Sequence, residues 1–149
     1  MLAIAESLAA TGPLAQRTLP HVKFTSWNTD GLARHLPSKL AELHELFGTP
    51  DVFCLQEIRI RPEDAQLIAS MTAALPGYTC GYSLARDRRN VRFRGGRAYG
   101  VATYVRKDLN PRWVDAPKWE REGRLCAFEL PAHKLFVANV YAVNGTDKP

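Results

Sequence analysis

Apolar positions recur along this chain in two periods, and the period changes where glycine and proline fall. His21–Asn28 alternates, with Val22, Phe24 and Ser26 on one side and Lys23, Thr25 and Trp27 on the other, which predicts a strand. Leu36, Leu40, Leu43 and Phe47 follow at helical spacing, and Gly48 and Pro50 end the run, so a helix is expected over Leu36–Phe47. Asp51–Leu55 is short and nearly all apolar, as expected of a strand buried on both faces. Strand, helix and strand in succession form a βαβ unit, whose strands should be parallel and joined by a right-handed crossover. Pro62 suits the first turn of a second helix, with Glu63 and Asp64 near its positive end, Ile68, Met71 and Leu75 facing the core, and Pro76-Gly77 ending it.

The period then becomes that of strands, over Tyr78–Ser83, Tyr99–Val105, Leu125–Leu130 and Leu135–Val140, with short polar or Gly/Pro joints between them. Pro131-Ala132-His133-Lys134 reads as a hairpin connection, with His133 expected to be exposed. The fold class that follows is α/β, a mixed β-sheet with flanking helices on one side. Residues 1–20 are mildly apolar, but Glu6 precedes any basic residue and no compact apolar core follows, which argues against a secretory signal. They are expected to be an N-terminal extension, helical or disordered, ahead of a domain over residues 21–149.

Charge changes this picture. The formal net charge is +5, and its distribution is uneven. Arg86, Arg88, Arg89, Arg92, Arg94 and Arg97 stand against a single acid, Asp87, so this one segment carries the whole surplus of +5. Such packing points to contact with a polyanion, and Phe93 among the arginines could stack on a base or wedge into a groove. A solvated basic loop without a partner is the alternative. The three cysteines (Cys54, Cys80 and Cys126) are far apart and form no CxxC pair, which argues against zinc and a disulfide framework and fits free thiols in a cytoplasmic protein.

Two of the expected strands end on polar residues. The first ends Ser26-Trp27-Asn28-Thr29-Asp30-Gly31-Leu32 and the second Leu55-Gln56-Glu57. In a βαβ unit the carboxyl ends of neighbouring parallel strands lie together, and ligands bind outside that edge. Asn28, Asp30 and Glu57 can therefore converge. An amide and two carboxylates make a hard, oxygen-rich set suited to Mg²⁺, with Mn²⁺ as a substitute. The pattern alone is weak, since Asp30-Gly31 is also a good turn. The last strand ends Val140-Tyr141-Ala142-Val143-Asn144-Gly145, again a phenol and an amide just past a buried strand. Tyr141 could donate to a phosphate oxygen or act as a base if deprotonated. Asn144-Gly145 could equally be a plain turn.

These strings also carry a resemblance. Val22–Leu32 resembles the opening motif of the abasic-site endonucleases, the exonuclease III-like branch of the exonuclease/endonuclease/phosphatase superfamily. Asp51–Glu57 resembles their second motif, Tyr99-Gly100-Val101-Ala102 their central glycine-containing strand, Glu122-Gly123-Arg124 a further block, and Val140–Asn144 their tyrosine motif. Five blocks occur in order. The resemblance implies half of a four-layer α/β sandwich. It implies that Glu57 binds the metal, with Asn28 and Asp30 supporting the metal and catalytic network, that Tyr141 contacts the scissile phosphate, and that Asn144 helps position the site. It further implies Mg²⁺-dependent attack of water on a phosphodiester of DNA, as an abasic-site endonuclease or 3′ exonuclease in repair, with Arg86–Arg97 on flanking phosphates.

The chain departs from that pattern in two places. Val143 stands where the family usually has proline. More consequentially, the chain contains neither the Gly-Asp-Phe/Leu-Asn block nor the Ser-Asp-His block of the family's second half, and none of His21, His35, His44 or His133 has a Ser-Asp-His context. The expectation is an N-terminal part of the domain, inactive as given because the groups that activate water are missing, and poorly soluble because the second sheet should come from the missing half. Two other readings stand beside this one. One is a phosphatase or phosphodiesterase of the same superfamily acting on lipid phosphates, inositol phosphates or RNA. The other is an inactive nucleic-acid-binding fragment.

Overall fold

A computed structural model describes residues 21–32, 38, 39, 42, 45, 48–86, 99–117 and 120–142. Among these residues, seven strands form two sheets. The first sheet holds β1 (Phe24–Asn28), β2 (Val52–Gln56), β3 (Tyr78–Ser83) and β4 (Val101–Arg106) in the order β1-β2-β4-β3. The expected parallel pair is present: β1 lies on β2 with Phe24 opposite Val52 and Asn28 opposite Gln56. β4 runs antiparallel to both β2 and β3, so the sheet is mixed. Helix α1 (Ala65–Ala73) covers one face. It begins after Pro62, which lies in the turn before it rather than in its first turn. Of the expected helix over Leu36–Phe47, Ser38, Lys39, Glu42 and Glu45 are helical and the rest lies outside the described residues, as does the extension over 1–20.

One expectation is corrected here. β6 (Leu125–Leu130) and β7 (Leu135–Val140) do not join the first sheet. With β5 (Arg112–Val114) they make a second, antiparallel sheet in the order β5-β6-β7. The second layer is thus begun within this chain, not left wholly to other residues. β5 is only three residues long, too short to show a period. The β6–β7 connection is the hairpin expected, a short 3₁₀ turn over Pro131–His133 closed by Lys134 in the left-handed region. His133 there is half-buried, not exposed.

The alternation along β1 and the continuous apolar run of β2 now have a physical meaning, because each face of the first sheet meets a different core. Phe53, Leu55, Ala102 and Tyr104 pack toward α1 with Met71 and Leu75, and Trp27 joins them from β1. Val52, Cys54 and Val105 face the second sheet, where Leu109, Phe128 and Leu130 meet them. The Tyr104 hydroxyl donates to Met71 O at 2.7 Å, which satisfies the phenol and ties sheet to helix. At the end remote from the strand carboxyl termini, the buried Asp51 carboxylate accepts from Lys23 N (2.8 Å) and Arg106 Nη1 (3.0 Å) and locks the start of β2 to its neighbours. The outer face of β7 is apolar and open, with Phe136 62% and Val140 56% exposed.

Candidate active site

β1 and β2 run parallel, so their carboxyl ends emerge side by side, and the chain continues past both in a conformation that strands do not use. Asp30, Glu57, Arg59 and Tyr99 all have positive φ, between 46° and 56°. Non-glycine residues held there cost energy and cluster at functional sites. Backbone hydrogen bonds compensate. Gly31 N and Leu32 N donate to Glu57 O and Ile58 O, and Ile58 N and Arg59 N donate to Gly100 O and Tyr99 O. The buried Thr29 hydroxyl bonds the Gln56 and Glu57 carbonyls. Lys39 Nζ reaches Thr29 O at 2.7 Å from the crossover segment and sits 5.8 Å from the Trp27 ring. These ties fix three strand ends as one rim.

Glu57 is the centre of that rim. Its Oε1 accepts from Asn28 Nδ2 at 2.9 Å and from the Tyr141 hydroxyl at 2.7 Å. Its Oε2 is paired with the Arg59 guanidinium, which also pairs with Asp30. Burial alone would raise the Glu57 carboxyl, but the bonds from Asn28, Tyr141 and Arg59 and the Arg59 charge outweigh it, so its pKa lies below the ordinary carboxylate value. Burial and the adjacent Glu57 push the Tyr141 phenol up to about 12. The phenol thus stands as the donor in its bond to Glu57. Asn28 links Glu57 to Asp30: its amide nitrogen donates to the carboxylate while its Oδ1 caps the Asp30 N–H at 3.1 Å.

Of the residues expected at the site, Asn28, Asp30, Glu57 and Tyr141 come together. Asn144 and Arg88, Arg89, Arg92, Arg94 and Arg97 lie outside the described residues. Arg86 is exposed, and its N–H donates to Arg121 O at 2.7 Å. Three residues at the site had no assigned role. Arg59 is the first, and its signal was the alternation Glu57-Ile58-Arg59-Ile60-Arg61, in which both isoleucines are buried and the charged residues take the other side. The others are Arg124 and Tyr99. The Arg124 guanidinium lies 4.4 Å from the Tyr99 ring centre, and Tyr99 packs on Tyr141 at 5.7 Å. A folded-back loop holds Arg124 there: the Glu120 carboxylate accepts from the N–H groups of Glu122, Gly123 and Arg124 at 2.7–3.0 Å. Gly123 presses so close to Leu84 and Ala85 that a Cβ would stand 2.4 Å from their backbone, at a φ of +71°.

The donor set is hard and oxygen-rich, and Glu57, with Asp30 beside it, fits a divalent cation with retained waters better than a closed cage. Among the described residues no group of three or more His, Cys, Asp or Glu forms such a cage.

The family model of the Endonuclease/Exonuclease/phosphatase family matches residues 25–138. This chain belongs to that family. Solved structures agree on the fold. An AP endonuclease from Leishmania major superposes with a TM-score of 0.60 at 21% identity, over 83% of this chain and 40% of its own. The 3′ phosphatase NExo from Neisseria, solved with a product DNA hairpin, gives a TM-score of 0.56 at 26% identity, over 87% and 45%. The catalytic domain of APE2 from Xenopus laevis gives 0.54 at 21% identity, over 80% and 45%. The chain thus spans less than half the length of these relatives. No curated protein sequence matches it.

Proposed function

We propose that this chain carries the metal-binding and phosphate-facing part of a Mg²⁺-dependent phosphodiesterase acting on DNA, of the abasic-site endonuclease or 3′ exonuclease kind. The observation that carries the reading is Glu57: one partly buried carboxylate at the mouth of two parallel strands, kept ionised by Asn28, Tyr141 and Arg59, with Asp30 beside it. Glu57 would hold the cation, with Asp30 and Asn28 supporting it. A bound Mg²⁺ would supply charge stabilisation at phosphate oxygens. Tyr141, whose hydroxyl bonds the same carboxylate, would turn its proton to a phosphate oxygen once a cation takes up Glu57.

DNA as the substrate is supported by the DNA hairpin in the NExo structure and by where the arginine-rich segment starts and ends. Arg86 leans on the 120–124 loop that holds Arg124, and Tyr99 stacks on Tyr141. The described residues on either side of that segment, Arg86 and Tyr99, thus both touch groups next to Tyr141, and the charge of the arginines between them would meet phosphates flanking the reacting one.

The test is direct. The chain should bind Mn²⁺ or Mg²⁺ in calorimetry, and Glu57→Gln should remove that binding. It should bind duplex DNA with an affinity that falls steeply with salt. Without the two family blocks it lacks, it should not cleave an abasic duplex at a rate that EDTA abolishes. Metal binding unchanged in Glu57→Gln would overturn the site, and cleavage of a lipid phosphate in preference to abasic DNA would move the substrate.

A further inference from the structure

Among the described residues, the buried polar side chains between the two sheets gather around Asn139. Asn139, near the carboxyl end of the inner face of β7, is 3% exposed and sits over β2 and β4. Its amide nitrogen donates to Leu55 O (3.2 Å), Ala102 O (3.1 Å) and Thr103 Oγ1 (3.0 Å), and its Oδ1 accepts from Gln56 Nε2 at 2.7 Å. Leu55 and Ala102 are themselves register partners, so one side chain from the second sheet bonds both strands of a pair in the first. Gln56 Nε2 also donates to Ser26 Oγ at 3.1 Å and thereby extends the link to β1.

An apolar residue would fill that space as well, as Val137 does two positions earlier on the same face. Apolar contact is non-directional and lets one sheet slide over another, whereas an amide with both its protons and its oxygen engaged fixes β7 along β2 and β4. The consequence falls on the site. Gln56 immediately precedes Glu57, and Asn139 stands two residues before Tyr141. The two ends of the clamp are thus the roots of the two side chains that meet at 2.7 Å.

We propose that Asn139, with Gln56, is a positioning residue that sets Tyr141 against Glu57, so that the polar clamp between the sheets aligns a site built from both. This rests on the proposed metal role of Glu57, and the experiment separates the two.

Three variants are compared by urea unfolding, by the ring-proton NMR shifts of Tyr99 and Tyr141, and by calorimetric titration with Mn²⁺ alone. Asn139→Ala should move the Tyr141 ring shifts, displaced in the parent by the tilted Tyr99 ring at 5.7 Å, toward free-tyrosine values, and should weaken Mn²⁺ binding about tenfold. Val137→Ala, which removes packing from the same face, should lower stability while leaving shifts and affinity in place. Thr103→Val removes one acceptor of the clamp, should move both readouts less in the same direction, and serves if Asn139→Ala does not fold. Unmoved ring shifts in Asn139→Ala, moved shifts with unchanged affinity, or equal changes in Val137→Ala would each overturn the clamp. A parent chain that binds no Mn²⁺, or Glu57→Gln that binds it unchanged, would sink the metal reading instead, and the ring shifts would then decide the clamp on their own.

Discussion

The Tyr141 hydroxyl donates to Glu57 Oε1 at 2.7 Å across 84 residues of sequence. The bond joins the second sheet to the first at the candidate site, and its strength depends on the charge of the carboxylate. Tyr141→Phe is expected to cost about 1 to 2 kcal/mol at neutral pH, toward the lower part of the range for a hydrogen bond to a charged group because both side chains keep some solvent. The sign with pH follows from Glu57. Its folded pKa is depressed below an unfolded value near 4.5, so the stabilisation is present above that value and is lost as pH falls through the folded one. Chemical denaturation across the acid range should show the gap between parent and variant closing. A gap that stays constant into acid would mean the phenol does not act on the carboxylate.

A second contact between the sheets involves no polar group. A Cβ on Gly81 would lie 2.3–2.7 Å from the six-membered ring of Trp113. Trp113 in turn packs on Phe128 at 5.4 Å, so the ring is held from both sides and cannot swing away. Gly81→Ala is therefore expected to destabilise the chain by about 1 to 3 kcal/mol, the usual cost of overpacking, with Trp113 fluorescence altered in the folded state. Unchanged stability and emission would show that the short strand β5 gives way.

Most of the first sheet was legible because its strands carry their own signal. The run Val52–Leu55 is apolar throughout since both faces are covered, and Val22–Trp27 alternates since its two sides meet different cores. The rim was legible only in part. Asn28, Asp30 and Glu57 could be placed together by the parallel βαβ rule, whereas Arg59 was hidden as one of several basic residues in an alternating stretch. What period cannot show is which sheet a strand joins. β6 and β7 read as strands from their period, and only register and the pairing with β5 make them a second layer. The left-handed Tyr99 was likewise read as the start of β4, which begins at Val101, because a residue's φ leaves no trace in hydropathy.

The three cysteines give a prediction at the opposite end of the pH scale. Burial pushes the Cys54 and Cys126 thiols up to about 11 and Cys80 to about 12, against an ordinary value of 9.0. The folded chain therefore holds its thiol protons longer than the unfolded chain. The resulting stability is full below about pH 9 and is lost as pH rises through about 11 to 12. Iodoacetamide at mildly alkaline pH should alkylate the native chain slowly and the urea-unfolded chain quickly. Cys80→Ala should lose less stability across the alkaline window than the parent. Rapid native alkylation, or an alkaline slope unaffected by Cys80→Ala, would count against this burial.

Arg59 leads to the prediction that bears most on the site. Its guanidinium pairs with Glu57 and Asp30 at once, with only 20% of its side chain exposed, so without a metal it is the cation that holds the two carboxylates together. A divalent ion at Glu57 must share or displace it. Arg59→Gln is expected to lower metal-free stability by about 1 to 2 kcal/mol, since a partly buried carboxylate loses its partner. The same change should make Mn²⁺ binding tighter, on the order of tenfold, because a competing positive charge leaves while both carboxylates remain. Mn²⁺ should then raise the melting temperature of the variant more than that of the parent. The opposite ordering, a variant that Mn²⁺ stabilises less than the parent, would show that Arg59 helps to build the cation site rather than occupying its place.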